Sequence, residues 1–193
     1  MLSGGNFHDE PIAIVADALA LAISEIGALS ERRIALLIDA SLSGLPAFLT
    51  AESGVNSGFM MAQVTAAALA SECKVLSHPA TVDTIPTDGN REDVVPMSMG
   101  AAWKERRVAD NVRNILAIEL MCSAQGLDCR LPLKPGKPLV VAHAAVREIV
   151  APLAQDRVLT PDIEALSAAV ANGVFGRAVG RTVPLSPRPH APP

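Results

Sequence analysis

The sequence is poor in aromatic residues, since its 193 positions contain four Phe, one Trp and no Tyr. Aromatic side chains are common in strands and in sandwich cores, so their scarcity disfavours a β-rich fold. Half of the residues are nevertheless apolar, and this set is rich in Ala, Leu, Val and Ile. Ala and Leu are strong helix formers. The composition therefore predicts an all-α protein whose helices pack closely through small side chains.

Cysteine is also scarce, and its spacing is typical of neither a disulfide framework nor a metal site. Cys73, Cys122 and Cys129 are odd in number and include no Cys-x-x-Cys pair. The spacing between His78 and the cysteines fits no metal site either, so we predict none. We expect reduced, buried thiols in a cytoplasmic protein. No secretory signal is visible, because polar residues follow Met1 almost at once.

The chain has no excess of positive charge and no uninterrupted apolar run. Its formal net charge is −4, which argues against nucleic acid or an anionic membrane as a partner. Asp17 and Glu25 interrupt the first long apolar stretch, and Asn56 and Gln63 interrupt the second. We therefore predict no segment that spans a membrane.

Apolar residues at steps of three and four predict three long helices. The first runs from Pro11 to about 38, the second from a cap at Asn56 or Ser57 to about 76, and the third from about 93 or 97 to about 125. Two shorter helices follow, and the last begins at Thr160-Pro161-Asp162. We expect an elongated bundle of long antiparallel helices over residues 1–181, followed by a disordered Pro-rich tail at 182–193.

The predicted helices carry more apolar surface than a chain of this length buries alone. The second helix is apolar nearly all round, which predicts burial among other helices. Three such helices favour an obligate assembly over a small monomer.

Three polar segments stand where the predicted long helices begin: Gly4–Pro11, Gly54–Met60 and Thr84–Val95. Helix N-termini expose free amide donors and a positive dipole end, which suit carboxylate substrates. The dipole alone also favours acidic residues there, so Glu92 and its acidic neighbours can be simple caps. His8, beside acidic residues, is expected to be a hydrogen-bonded surface residue.

These three segments resemble, in the same order, three motifs of the aromatic amino acid lyase family, which includes the histidine and phenylalanine ammonia-lyases. The histidine branch reads Gly-Asn-Phe-His-Gly-Glu-Pro, then Gly-Leu-Asn-Ser-Gly-Phe-Met, then Asn-Gln-Glu-Asp-His-Val-Ser-Met. The matching segments here are Gly5–Pro11, Gly54–Met60 and Asn90–Ser98. The resemblance covers most of the chain, up to about residue 165, and implies the C-terminal part of an all-α ammonia-lyase fold.

The resemblance also shows which family features this chain lacks. The family's electrophile is a methylidene-imidazolone ring, formed by cyclisation of an internal Ala-Ser-Gly, and its catalytic base is a Tyr. This sequence contains no Ala-Ser-Gly and no Tyr. The resemblance therefore implies that neither the electrophile nor the base belongs to this chain. It further implies that a partner N-terminal half supplies the ring, and that the chain is inactive without it.

The resemblance points to Phe7, Asn90, Arg91 and Glu92 as substrate-binding residues. Phe7 matches a position beside the ring and the substrate. Glu92 matches the position that faces the substrate side chain in the histidine branch, where the phenylalanine branch has Gln. A carboxylate can accept a hydrogen bond from an imidazole. Arg91 replaces a neutral amide, and it can pair with Glu92 or Asp93, bind a substrate carboxylate, or turn outwards.

The implied function is elimination of ammonia from histidine or an aromatic amino acid, within a tetramer-like homo-oligomer. Val94 stands where the histidine branch has His, so the choice between histidine and phenylalanine or tyrosine stays open. An aminomutase of the same family, which re-adds the ammonia, is one alternative. A non-catalytic truncated or structural subunit is the other. A neighbouring reading frame that encodes Ala-Ser-Gly and Tyr would favour a two-chain enzyme.

Overall fold

A computed structural model describes residues 8–180, and these form helices and loops with no named strand among them. The predicted all-α fold is confirmed. Phe7 and the tail at 182–193 lie outside the described residues. The helices of the described part are α1 Glu10–Ile38, α2 Ala40–Ser43, α3 Met60–Leu76, α4 Ser98–Asp128, α5 Lys137–Arg147, α6 Thr160–Ala171 and α7 Val174–Gly180.

Helix α3 begins later than its sequence suggests. Asn56 and Ser57 were expected to cap it, but its first residue is Met60. Gly58 has a φ of +55°, a left-handed conformation that a right-handed helix cannot contain. The backbone amides of Ser57 and Gly58 donate instead to the carboxylate of Asp156. The capping prediction for Asn56 and Ser57 is therefore wrong.

Helix α4 begins at Ser98 and runs to Asp128. Met97 has a φ of +55°, so the chain enters the helix through a left-handed residue. Glu92 and Asp93 consequently lie in the preceding loop, and no acidic residue stands in the first turn of α4. The interpretation of these carboxylates as caps of this helix is wrong.

The stretch after α1, where no helix was predicted, contains one helical turn. Asp39 caps this turn, because its side chain accepts a hydrogen bond of 2.8 Å from the amide of Ser41. Gly44 ends the turn with a φ of +64°. Helix α7 was not predicted either. Both differences concern short elements, in which few residues show a helical period.

The described residues fall into two units. The first comprises the chain up to Ala35 together with Met61–Leu116, and the second comprises Leu36–Met60 together with the residues from Ala117 onward. A buried cluster of α1, α3 and α4 side chains lies in the first unit: Ala20, Cys73, Val108 and Val112, with Ile23, Leu76 and Leu116 packed against it. A Cβ atom added to Gly27 would lie 2.7 Å from Cγ2 of Val112. Helices α1 and α4 therefore pack closely there, as the small side chains predicted.

Helix α3 buries one face and exposes another. Its buried residues recur about every fourth position: Ala62, Ala66, Ala70 and Cys73. On its other side, Met61 and Val64 are 58% and 49% exposed. A single chain thus leaves part of α3 in water, as expected for a helix whose burial needs an assembly. The exposed side chains are apolar, as expected for a surface that another chain covers.

Helix α1 is long and apolar enough to cross a membrane by length and composition alone, which its polar interruptions had not predicted. Core helices of soluble proteins meet the same criteria. Two carboxylates of α1, Asp17 and Glu31, are only 5% exposed. Asp17 accepts from the amide of Thr81, and Glu31 accepts from the side chain of Gln63. At these two residues, α1 is therefore packed against other parts of its own unit.

Polar side chains organise the second unit around Gln125, which is 7% exposed. Its Nε2 donates to the carbonyl of Leu153 at 3.1 Å, and its Oε1 accepts from the Leu153 amide at 3.0 Å. Asp128 accepts from Arg147 and lies 2.7 Å from Nε2 of His143. These bonds hold α4, α5 and the segment after α5 together.

The described cysteines are free thiols, and the expectation that all of them are buried is wrong. Cys73 and Cys122 lie in the interior, whereas Cys129 is exposed. Burial raises the pKa of the Cys122 thiol well above its usual range. The internal thiols are therefore protonated, poorly reactive packing groups.

Candidate functional site

The loop between α3 and α4, residues 77–97, carries Asn90, Arg91 and Glu92. Asp17 of α1 holds the start of this loop, because its carboxylate accepts a hydrogen bond of 2.9 Å from the amide of Thr81. Lys104 of α4 lies 3.6 Å from the same carboxylate, and its ammonium also donates to the carbonyl of His78. The first residues of the loop are thus attached to α1 and α4.

The pKa of Asp17 lies below its ordinary value despite burial. Burial is the largest single influence and opposes ionisation. Hydrogen bonds from Thr81 and Ala80 and the positive charge of Lys104 together outweigh it. Asp17 is therefore a charged anchor at neutral pH.

Further along the loop, a tight turn presents the candidate residues. The amide of Thr87 donates to the Glu92 carbonyl at 3.0 Å, and the Glu92 amide donates back at 3.4 Å. Between them, Asp88, Gly89 and Asn90 have φ angles of 52°, 63° and 69°. Asp and Asn tolerate this left-handed region better than other residues that carry a side chain. The sequence Asp-Gly-Asn therefore suits the turn, which places Glu92 at its closing end.

Glu92 lies beside His8, which comes from the segment just before α1. Nε2 of His8 lies 3.3 Å from Oε2 of Glu92, and the two side chains are 37% and 40% exposed. The fold thus brings the first and third polar segments together. His8 was predicted only as a hydrogen-bonded surface residue. The one signal that His8 belongs to the site was its position next to Phe7, a predicted substrate-binding residue.

The other predicted site residues are placed differently. Asn90 and Arg91 are exposed in the turn, and Phe7 lies outside the described residues. Within residues 8–180, Glu92 pairs with His8, and pairing of Arg91 with Glu92 or Asp93 stays a prediction. The Arg91 side chain is exposed, in agreement with the outward alternative. Binding of a substrate carboxylate by Arg91 stays a prediction.

The second polar segment belongs to the other unit, where it forms a clamp. The carboxylate of Asp156 accepts from the amides of Ser57 and Gly58 at 2.7 and 2.9 Å. These backbone bonds hold the pKa of Asp156 below its ordinary value. The side chain of Asn56 accepts in return from the Asp156 amide at 3.2 Å. A Cβ atom at position 58 would overlap the carbonyl oxygen of Phe48, so only glycine fits there.

The chemistry available to these residues is recognition by charge and hydrogen bonds. A partly exposed carboxylate at Glu92 can accept from an N–H group of a ligand, and His8 adds a second polar group beside it. Among the described residues, no group of three or more His, Cys, Asp or Glu could hold a metal ion. The chain has no Ala-Ser-Gly from which the ring of the lyase family forms, so its residues do not fit that group by themselves.

Comparison with known proteins decides the family. A sequence model of aromatic amino acid lyases matches residues 1–148. The chain belongs to the aromatic amino acid lyase family. Its resemblance to this family in the three polar segments is thereby confirmed.

Histidine ammonia-lyases are among the similar proteins. That of Desulfotalea psychrophila is 58% identical over 181 residues, which cover 94% of this chain and 35% of the relative. That of Shewanella oneidensis is 59% identical over 165 residues, which cover 86% of this chain and 32% of the relative. This lyase-family chain thus spans about a third of the length of these relatives.

Solved structures show the same fold. The histidine ammonia-lyase of Trypanosoma cruzi superposes with a TM-score of 0.91 at 44% identity, over 95% of this chain and 36% of that one. The tyrosine aminomutase of Streptomyces globisporus has a TM-score of 0.88 at 36% identity, over 96% of this chain and 36% of that one. The helices described above are therefore the ammonia-lyase fold over that share of its length.

Proposed function

We propose that this chain supplies the substrate-side surface of an enzyme that eliminates ammonia from histidine. The observation that carries the proposal is the carboxylate of Glu92, which stands in the third family segment and is partly exposed beside His8. A carboxylate suits an imidazole side chain, because it accepts a charge-assisted hydrogen bond from the ring N–H. The high identity to proteins named histidine ammonia-lyase supports the same substrate.

The proposed enzyme also needs a segment that carries Ala-Ser-Gly and the catalytic Tyr, since neither occurs in this chain. When present, the ring formed by that segment supplies electron withdrawal, which no ordinary side chain offers. This chain's share is binding and orientation. Glu92 holds the imidazole, Arg91 is available for the substrate carboxylate, and the family resemblance assigns Phe7 to the substrate side.

We further propose that the working assembly is a homo-oligomer with a tetramer-like core in the cytoplasm. The apolar side chains exposed on α1 and α3 support association, because a single chain leaves them in water. The unpaired cysteines fit a reducing compartment.

The test is reconstitution. The purified chain is assayed alone and together with a segment that contains Ala-Ser-Gly and Tyr, with release of ammonia and of urocanate as the signals. We expect no turnover by the chain alone, because it has no group that acidifies the β-proton of the substrate. We expect turnover of histidine by the assembled enzyme. Turnover by the chain alone, or none by the assembly, would contradict the proposal.

An aminomutase of the same family is the second candidate. The likeness to tyrosine aminomutase, with 36% identity and a TM-score of 0.88, favours it. The two activities differ in the fate of the ammonia, which an aminomutase returns to the neighbouring carbon. Chromatography of the reaction mixture separates them, because only the aminomutase accumulates a β-amino acid.

A further inference from the structure

We propose that His8 is a positioning residue that orients the Glu92 carboxylate toward the substrate and thereby sets the preference for an imidazole side chain. This inference rests on the proposed function. It adds a residue that the motif comparison left without a role. The observation behind it is the distance of 3.3 Å between Nε2 of His8 and Oε2 of Glu92.

The contact between His8 and Glu92 contributes too little to the free energy of folding for stability to explain it. Both side chains are more than a third exposed, at 37% and 40%. Pairs this exposed stabilise proteins weakly, because water screens them and two side chains lose freedom. The backbone of Glu92 is already held by its paired hydrogen bonds with Thr87. The turn therefore stays in place without His8, and what His8 adds is the direction of the carboxylate.

The positions of His8 and Glu92 in the fold suit His8 to orienting the Glu92 carboxylate. His8 lies just before α1, and α1 also holds the start of the Glu92 loop through Asp17 and Thr81. Helix α1 therefore helps to position both His8 and Glu92. Contact through Oε2 leaves the second oxygen, Oε1, for the N–H of an imidazole ligand. A carboxylate held in one rotamer loses less entropy when it binds such a ligand.

The experiment is a double-mutant cycle in the assembled enzyme. His8→Leu is expected to lower kcat/KM for histidine by roughly three- to ten-fold, mainly through KM, because it loosens a contact that is itself worth about ten- to a hundred-fold. Phenylalanine turnover should change little. His8→Gln keeps an N–H donor and should restore most of the loss. His78→Leu, which replaces another exposed histidine, is the matched control and should have no effect.

The cycle separates positioning from a general structural effect. In a Glu92→Gln background, His8→Leu should change kcat/KM for histidine by less than about two-fold, since the carboxylate it orients is gone. An equal loss in both backgrounds, or an equal loss for both amino acids, would overturn the proposal.

A measurement without turnover tests the contact itself. In the 15N-histidine-labelled chain, the ring resonances of His8, assigned by their disappearance in His8→Leu, should move on Glu92→Gln. Unmoved resonances overturn the pairing. If the assembled unmodified enzyme turns over neither amino acid, the proposed function is wrong, and so is the role of His8 in specificity. The NMR result still decides the His8–Glu92 contact in that case.

Discussion

The buried carboxylate of Asp17 accepts a hydrogen bond of 2.9 Å from the backbone amide of Thr81, 64 residues further along the chain. This bond attaches the loop that carries Glu92 to the long helix α1. Lys104 reinforces it from α4 at 3.6 Å. The candidate site is therefore positioned by a charged group in the interior of its unit as well as by the local turn.

Replacement of Asp17 by Asn should lower the free energy of unfolding at pH 7 by about 1–2 kcal/mol. Hydrogen bonds to a charged acceptor are roughly twice as strong as neutral ones, and Lys104 also loses its counter-charge. Glu25→Gln, on an exposed position of the same helix, is the control and should change stability by less than about 0.5 kcal/mol. Urea unfolding of the two variants measures both values.

The effect of Asp17 should depend on pH in a defined direction. Its pKa is depressed in the folded state, so its stabilisation is complete above the pKa of the unfolded chain, at about 4, and is lost as the pH falls through the folded pKa. The difference between the native chain and Asp17→Asn should therefore shrink below about pH 4. A difference that stays constant into strong acid would contradict the assignment.

Glu92→Gln should change substrate choice more than stability. As a substrate contact, the carboxylate provides a charge-assisted hydrogen bond of about 1.5–3 kcal/mol, so kcat/KM for histidine should fall roughly ten- to a hundred-fold in the assembled enzyme. Phenylalanine should lose little or gain. Because Glu92 caps no helix and its contact with His8 is exposed, the melting temperature should hardly move.

Asp93→Asn is the matched control for Glu92→Gln, since Asp93 is the exposed neighbour in the same loop. It should leave both kcat/KM values close to those of the unmodified enzyme. If Glu92→Gln lowers the two substrates equally while the melting temperature drops, Glu92 has a structural role and the site assignment is wrong.

Gly58→Ala should destabilise the chain more than Gly89→Ala. Both glycines have left-handed φ angles, +55° and +63°, so each substitution should lower the free energy of unfolding by roughly 1–2 kcal/mol through backbone strain. Only at position 58 does the added methyl group meet the carbonyl of Phe48, whereas position 89 is open. Thermal unfolding compares the two, and equal losses would argue against the close backbone contact.

The chain should self-associate through the exposed apolar stripe of α1. Residues of this stripe recur at helical spacing and are 45–65% exposed: Ile12, Val15, Leu19, Ile26 and Leu29. Val15→Asp should shift size-exclusion and light-scattering profiles toward monomer. Val82→Asp, at an exposed loop position, should not. A well-folded, soluble monomer of the unmodified chain at micromolar concentration would refute the expectation.

The periodicity of the apolar residues determined the long helices, because a helix repeats every 3.6 residues and this pattern is local. Family motifs likewise pointed to Glu92 from the sequence alone. The start of α3 departs from the capping pattern at Ser57, where the backbone is bound by Asp156, 99 residues away. A distant acceptor of this kind leaves no trace in local spacing.

The contact between His8 and Glu92 was also decided by tertiary structure. Each residue lies in a polar segment that the sequence singled out, yet nothing in the spacing says that the two side chains meet. The Asp17–Thr81 bond attaches the Glu92 loop to α1, and the left-handed turn at Asp88–Asn90 lies just before Glu92. Local preference determined the helices of this protein, and long-range hydrogen bonds between its loops and helices assembled the candidate site.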